Sequence, residues 1–185
     1  MSNLIASPLF QGRLVRLTAM RPEDVHTVVR WYENSDFSRH FDAMPAYPRG
    51  EDRARSLVLE RHGGESYAFA MRPLYTDELI GIIDLDGIQW NNRVAWLGIG
   101  IGEPANRGRG YGRDAMALVL RFAFRELNLH RIQLTVFSYN VAAVNLYESL
   151  GFRHEGTFRE AIHREGERFD MLLYGLLAHE WKPAE

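Results

Sequence analysis

The stretch from Val94 to Leu127 constrains this chain more than any other. An apolar segment, Val94–Ile101, has glycines at 98 and 100 and a third at 102, just past its end. It leads into Arg107-Gly108-Arg109-Gly110-Tyr111-Gly112. Gly112–Leu127 follows, with Ala115, Met116, Val119, Leu120, Ala123 and Leu127 at helical spacing. The run predicts a strand, a tight turn and an amphipathic helix. Glycines allow positive φ and let backbone N–H groups approach an anion closely. A helix N-terminus adds four unpaired N–H groups and about half a positive charge. The junction is therefore either a plain tight turn or a phosphate site built from backbone alone. It has no Gly-Lys-Ser/Thr, and its spacing is not G-x-G-x-x-G, so neither common nucleotide fingerprint applies.

The flanking segments supply a sheet and more helices. Leu14, Val15 and Leu17 predict a first strand, and Pro22 opens a helix in which Val25, Val28, Val29 and Tyr32 share a face. Residues 33–48 show no period and read as an irregular loop rich in aromatic residues. A second short helix places Ala54, Leu57, Val58 and Arg61 on one side. From Ser66 the period becomes two, through Tyr67, Phe69 and Met71, then Leu79–Asp86, with Asn91-Asn92 as a hairpin turn before Val94. After the glycine turn come the helix, a strand with Ile132, Leu134 and Val136, and a short helix over 141–150 closed by Gly151. Two last strands, about 152–163 and 168–177, flank the turn Arg164-Glu165-Gly166-Glu167. The sum is a mixed α/β architecture, a mostly antiparallel sheet with helices on its faces, read as one domain over 1–185.

Composition removes several function classes. The chain has 185 residues, enough for a full core, with 46% hydrophobic and 25% charged residues and a net charge of −2. No basic footprint for nucleic acid exists at that charge, and no nucleic-acid partner is expected. The absence of cysteine excludes disulfides, thiolate metal sites and a cysteine nucleophile. The histidines have no metal-ligand spacing, so no bound metal is expected. Met1–Pro8 lacks a basic, apolar leader pattern, and no window approaches the roughly 18 apolar residues of a membrane span. A cytoplasmic protein without a membrane partner is the expectation. Lys182 is the sole lysine, so arginine supplies nearly all the positive charge and favours planar, bidentate contacts.

Arg107, Gly110 and Gly112 fill a pattern, Arg-x-x-Gly-x-Gly, that resembles the pyrophosphate-binding signature of the GNAT superfamily of N-acetyltransferases. Similar motifs extend along the chain: Leu79-Ile80-Gly81, Asn92-Arg93 before a strand, and Asn140-x-x-Ala143-x-x-Leu146-Tyr147-x-x-Leu150-Gly151-Phe152. Glu155-Gly156, Gly166-x-x-x-Asp170 and Glu180-Trp181 resemble the RimJ/RimL branch, which acetylates ribosomal-protein N-termini. The resemblance implies the GNAT fold, acetyl-CoA (coenzyme A) as cofactor, and transfer of its acetyl group to a primary amine.

It also implies a site. The strand before the turn splays from its neighbour, and the cofactor arm meets Ile99, Gly100 and Ile101. Gly98, Gly100 and Gly102 share one face that either admits the cofactor or allows close helix–sheet packing. Arg107, Gly108, Arg109, Gly110, Tyr111, Gly112 and Arg113 surround the phosphates, although Arg109 and Arg113 read equally as solvent-facing. Asn140, Val144 and Tyr147 share a helix face, with Ala143, Leu146 and Leu150 as core. By resemblance Asn140 bonds the cofactor arm and Tyr147 is the acid beside the thiol; the alternative is a core tyrosine. A phenol near pKa 10 protonates a thiolate near 8.5 only uphill, by roughly 2 kcal/mol, so Tyr147 fits a hydrogen-bond donor better. Where many members carry a strand glutamate this chain has Trp96. Asp84 and Asp86 share a strand face and serve either as acceptor-amine and proton groups or as a solvated strand end; Glu103 is a weaker candidate base. Trp31, Phe41 and Tyr47, with Tyr32 and Phe37, either mark the acceptor site or pack onto the core. The acceptor reads as a protein N-terminal amine, with a polyamine or aminoglycoside as alternatives and a non-catalytic acyl-CoA-binding domain as a further one. A homodimer joined by a sheet edge or the C-terminal strands is also an expectation.

Overall fold

A computed structural model describes residues 8–59 and 65–183. The elements run β1 (Val15–Thr18), α1 (Asp24–Glu33), α2 (Ser35–Phe41), α3 (Glu51–Leu59), β2 (Tyr67–Pro73), β3 (Gly81–Gln89), β4 (Val94–Ile101), α4 (Tyr111–Arg121), β5 (Arg131–Phe137), α5 (Val141–Ser149), β6 (Arg153–Arg164) and β7 (Glu167–Leu177). The last turns of α4, Phe122–Glu126, widen into a π-helical segment in which the Leu127 N–H bonds the Phe122 carbonyl. The sheet order is β1-β2-β3-β4-β5-β7-β6. Every neighbouring pair is antiparallel except β4 and β5.

Period-two patterning sends alternate residues of the central strands into two cores. Met71, Ile83 and Leu85 join Ala115, Met116 and Val119 of α4, whereas Ala70 and Ile82 meet Val25, Val28, Trp31 and Tyr32 of α1. Each fully buried Val, Ile or Met contributes roughly 1.5–3 kcal/mol. One ion pair ties the helical layer to the sheet: Arg72 of β2 bonds both carboxylate oxygens of Asp24 at 2.9 and 2.7 Å, with both side chains nearly inaccessible. Removing one partner would strand a buried charge, at about 3–5 kcal/mol.

The structure corrects the sequence reading in two places and bears it out at a third. Residues 33–48 are not wholly irregular, because Asn34 caps α2 by accepting the Asp36 N–H. At the β3–β4 turn the left-handed residue is Arg93, φ +55, rather than an asparagine. Glu165 and Gly166, both at positive φ, close the β6–β7 hairpin as that turn chemistry requires. Arg61 lies outside the described residues.

Candidate functional site

Strands β4 and β5 pair only at Val94–Trp96 with Arg131–Gln133, then diverge. Beyond that point β4 remains paired to β3 as far as Ile101, and β5 to β7 as far as Phe137. Their facing edges therefore present backbone N–H and C=O groups with no strand opposite. Such groups seek a partner, and an extended amide-bearing chain inserted between them supplies one. The wedge opens into a cleft of about 930 Å³.

The glycine turn stands at the wide end of this wedge. Gly108 and Gly110 have φ of +70 and +84, and Gly110 caps α4 without a side chain. The first i−4 bond of the helix runs from Asp114 N–H to Gly110 C=O, so the N–H groups of Tyr111, Gly112 and Arg113 precede the internal ladder. This is an anion cradle of backbone donors, and it fits a pyrophosphate. Gly108, Gly110, Gly112, Arg107 and Arg113 line the cleft. Arg113 is held by Ser149 of α5 at 2.5 Å. Arg109 is outside the cleft lining and lies over the Tyr111 ring at 5.5 Å. The buried Tyr111 hydroxyl pairs with that of Tyr75, so Tyr111 offers the cradle its backbone alone.

Helix α5 forms the next wall. The Asn140 side chain caps it by accepting the Ala143 N–H at 3.3 Å, which leaves the amide NH₂ to face a ligand. Tyr147 is buried at the cleft, and burial pushes its phenol above the ordinary value. Ala143, Leu146 and Leu150 pack on the core as expected, and Ala143 and Leu146 also line the cleft beside Asn140 and Tyr147, whereas Val144 packs on the core without reaching it.

The glycine face of β4 is occupied by this chain's own side chains. A Cβ on Gly98 would lie 2.7 Å from Asp84 Oδ1, on Gly100 2.5 Å from the Phe41 ring, and on Gly102 within van der Waals overlap of Trp31. The missing side chains admit a carboxylate of β3 and aromatic rings of α1 and α2, while Gly98 and Gly100 still line the cleft. Leu97, Ile99 and Ile101 alternate with the glycines along β4, and the Ile99 and Ile101 side chains approach Gly112. The aromatic group splits accordingly. Tyr32, Phe37 and Phe41 line the cleft, whereas Trp31 is core and Tyr47, 54% exposed, lies outside it. Asp84 lines the cleft at 5% exposure. Asp86 is exposed and bonds the Gly87 N–H, Trp96 lies outside the cleft, and Glu103 pairs with Arg30.

The lining residues not anticipated include three basic ones, His40, Arg49 and Arg53. His40 Nδ1 meets the Asp36 carbonyl at 2.8 Å and its carboxylate at 3.2 Å, an arrangement that places the proton on Nδ1 in the neutral ring and leaves Nε2 as the basic nitrogen. Arg49 is 8% exposed, bonds Asp42 at 2.5 Å and lies 4.3 Å over the Tyr32 ring. Nothing in local sequence marks these residues, because the chain path through 33–53 alone brings them to the cleft.

Comparison with known proteins bears on the fold. The family model described as Acetyltransferase (GNAT) domain matches residues 14–153. An uncharacterized N-acetyltransferase of Bacillus subtilis, YokL, is 27% identical over 96% of this chain and 98% of its own length. The ribosomal protein uS5 alanine N-acetyltransferase of Escherichia coli is 25% identical, covering 98% of this chain and 96% of its own. Among solved structures, a Vibrio cholerae spermidine N-acetyltransferase with CoA and spermine superimposes with a TM-score of 0.80 at 27% identity, covering 90% of this chain and 96% of that one.

Proposed function

The chain belongs to the GNAT family of acetyl-CoA-dependent acetyltransferases, and from that premise we propose that its acceptor is an α-amine, such as a polypeptide N-terminus, acetylated in the RimJ/RimL manner. The observation that carries the reading is the shortage of negative charge on the acceptor wall. Among the described residues the cleft is lined by two carboxylates, Asp42 and Asp84, and Asp42 is already paired with Arg49. A polyamine presents several ammonium groups and calls for several carboxylates; a single amine needs one.

Acetyl-CoA supplies a thioester carbonyl, at which the amine nitrogen forms a C–N bond as the C–S bond breaks and the CoA thiol leaves. The glycine turn holds the pyrophosphate, and the divergent edges of β4 and β5 hold the arm. Tyr147, kept protonated by burial, donates a hydrogen bond to the developing thiolate rather than surrendering its proton. Asp84 receives the incoming ammonium, and its proton passes to water or to Nε2 of His40. An α-amine near pKa 8 is neutral in roughly a tenth of molecules at pH 7, whereas an amine near 10.4 costs about 3 kcal/mol more to deprotonate. A site without a strand glutamate suits the former.

Thiol release measured against N-terminal peptides, polyamines and aminoglycosides tests the proposal. Highest kcat/KM is expected for peptides; spermidine or an aminoglycoside as the preferred acceptor would replace it. Acetyl-CoA binding without turnover of any amine would point to an acyl-CoA-binding domain.

A further inference from the structure

The apex of the wedge carries two side chains that the cleft does not use. The last paired residues of β4 and β5 are Trp96 and Gln133. An arm anchored by its pyrophosphate at the glycine turn, beyond Ile101, runs down the wedge and brings its thioester towards that apex. Phe41 and Trp31 cover the same sheet face at Gly100 and Gly102, which leaves the stretch around Trp96 as an exposed approach. Trp96 shares this face with Gly98 of the cleft, and its partner across β3 is Asp86. Two strand residues, about 7 Å, separate the Asp86–Trp96 pair from Asp84 and Gly98.

Both side chains face solvent, Trp96 at 39% exposure. The indole rests against Gly87, where a Cβ would lie 3.3 Å from its Cδ1. Asp86 accepts the Gly87 N–H at 2.8 Å, which orients the carboxylate, and it pairs with no cation among the described residues. On the other flank Gln133 accepts a bond from Arg131, whose charge Glu155 already offsets. Arg125 lies over Trp181 and Arg164 over Phe137, whereas no guanidinium among the described residues lies over Trp96. A carboxylate with an uncommitted oxygen beside an open indole face attracts a cation through both groups.

We propose that Asp86 and Trp96 bind a positively charged side chain of the acceptor, so that preferred substrates are polypeptide N-termini with a basic residue at position two or three. An extended chain advances about 3.5 Å per residue, so such a side chain spans the 7 Å from the reacting amine. The inference rests on the N-terminal reading of the cleft and supplies the selectivity that reading leaves open.

The test uses three peptides that differ only at residues two and three, which are both arginine, both glutamine or both glutamate. Arginine stays protonated and offers no competing amine. Thiol release should rank arginine first and glutamate last. Arginine should lead glutamine by roughly three- to thirtyfold in kcat/KM, the combined effect of an exposed cation–π contact and an exposed ion pair. Asp86→Asn and Trp96→Leu should each shrink that ratio. Asp86→Lys should invert it in favour of glutamate, a reversal that a merely structural role would not produce. Acetyl-CoA calorimetry reports whether each variant is folded. Where one is not, the wild-type preference should still fade at about 1 M salt, where the screening length is about 3 Å.

Equal rates for the three peptides, or a ranking that every variant leaves intact, overturn the proposal. Spermidine ahead of all three replaces the N-terminal reading. A spermidine lead abolished by Asp86→Asn upholds the cation subsite with another occupant, and a lead that survives it removes both. Titration of the peptides into CoA-saturated protein reads binding without turnover: arginine preference there upholds the subsite even if no amine is acetylated, and no preference removes it.

Discussion

Arg107 joins the glycine turn to the acceptor wall. Its Nη1 bonds Asp36 of α2 at 2.6 Å while Nε and Nη2 bond the carbonyls of Ile101 and Gly102, each at 3.3 Å. The signature arginine therefore holds the end of β4, the turn and α2 in one arrangement, and the same Asp36 orients His40. Asp36→Asn should raise the acceptor KM and the CoA Kd together, each by roughly two- to fivefold, since the pair is partly exposed and worth well under a buried ion pair. Steady-state kinetics and calorimetry check this; a change in one constant alone would dissociate the two walls.

Tyr147→Phe removes a hydrogen bond to developing negative charge, worth about 1.5–3 kcal/mol, and kcat should fall roughly 10- to 150-fold. Acetyl-CoA affinity should stay within about twofold, because the ring and its packing against Phe152 remain. Retained kcat would mean that the hydroxyl does not touch the leaving group.

The pH dependence follows from the upward displacement of Tyr147 by burial. A group whose folded value is raised stays protonated across the neutral range, and its contribution is lost only as pH climbs above about 10. From pH 6 to 9 the rise of kcat/KM should therefore track the acceptor amine. The inflection should lie near 8 for an α-amine and move towards about 10 for a lysine-type amine. An inflection that ignores the acceptor would assign the proton transfer to an enzyme group.

Gly100→Ala places a methyl group 2.5 Å from the Phe41 ring. The ring is only partly buried and must shift, carrying α2 with it, so the acceptor KM should rise while CoA affinity changes little. Pairing the change with Phe41→Leu should recover part of the loss, and a double-mutant cycle measures the coupling, which for touching residues is about 0.5–3 kcal/mol.

Gly110→Glu sets a carboxylate and a disfavoured φ of +84 at the cap of α4. Calorimetry should show CoA binding abolished, with thermal unfolding lowered by the roughly 1–3 kcal/mol that such a backbone conformation costs a non-glycine residue. Unchanged CoA affinity would refute the anion cradle.

The motifs that resemble the RimJ/RimL branch make structural contacts in this fold. Glu155 pairs with Arg131, Asp170 receives the Glu160 N–H at a bulge of β6, and Trp181 packs on Phe124. None of the three lines the cleft, so these contacts do not themselves select the acceptor.

Local sequence determined the strand–turn–helix unit and the anion cradle, because glycine φ values, helix N-terminal donors and period-two burial are properties of a few neighbouring residues. It also determined the pairing of Asn140 and Tyr147 on one short helix. Tertiary structure alone decided where β4 parts from β5, which residues fill the glycine face, and that Trp31 turns inward while Phe41 reaches the cleft. It alone brought Arg49, Arg53 and Asp84 to one cavity. Those contacts join residues far apart in the chain, and no periodicity records them, since they arise from how α1–α3 pack over the sheet.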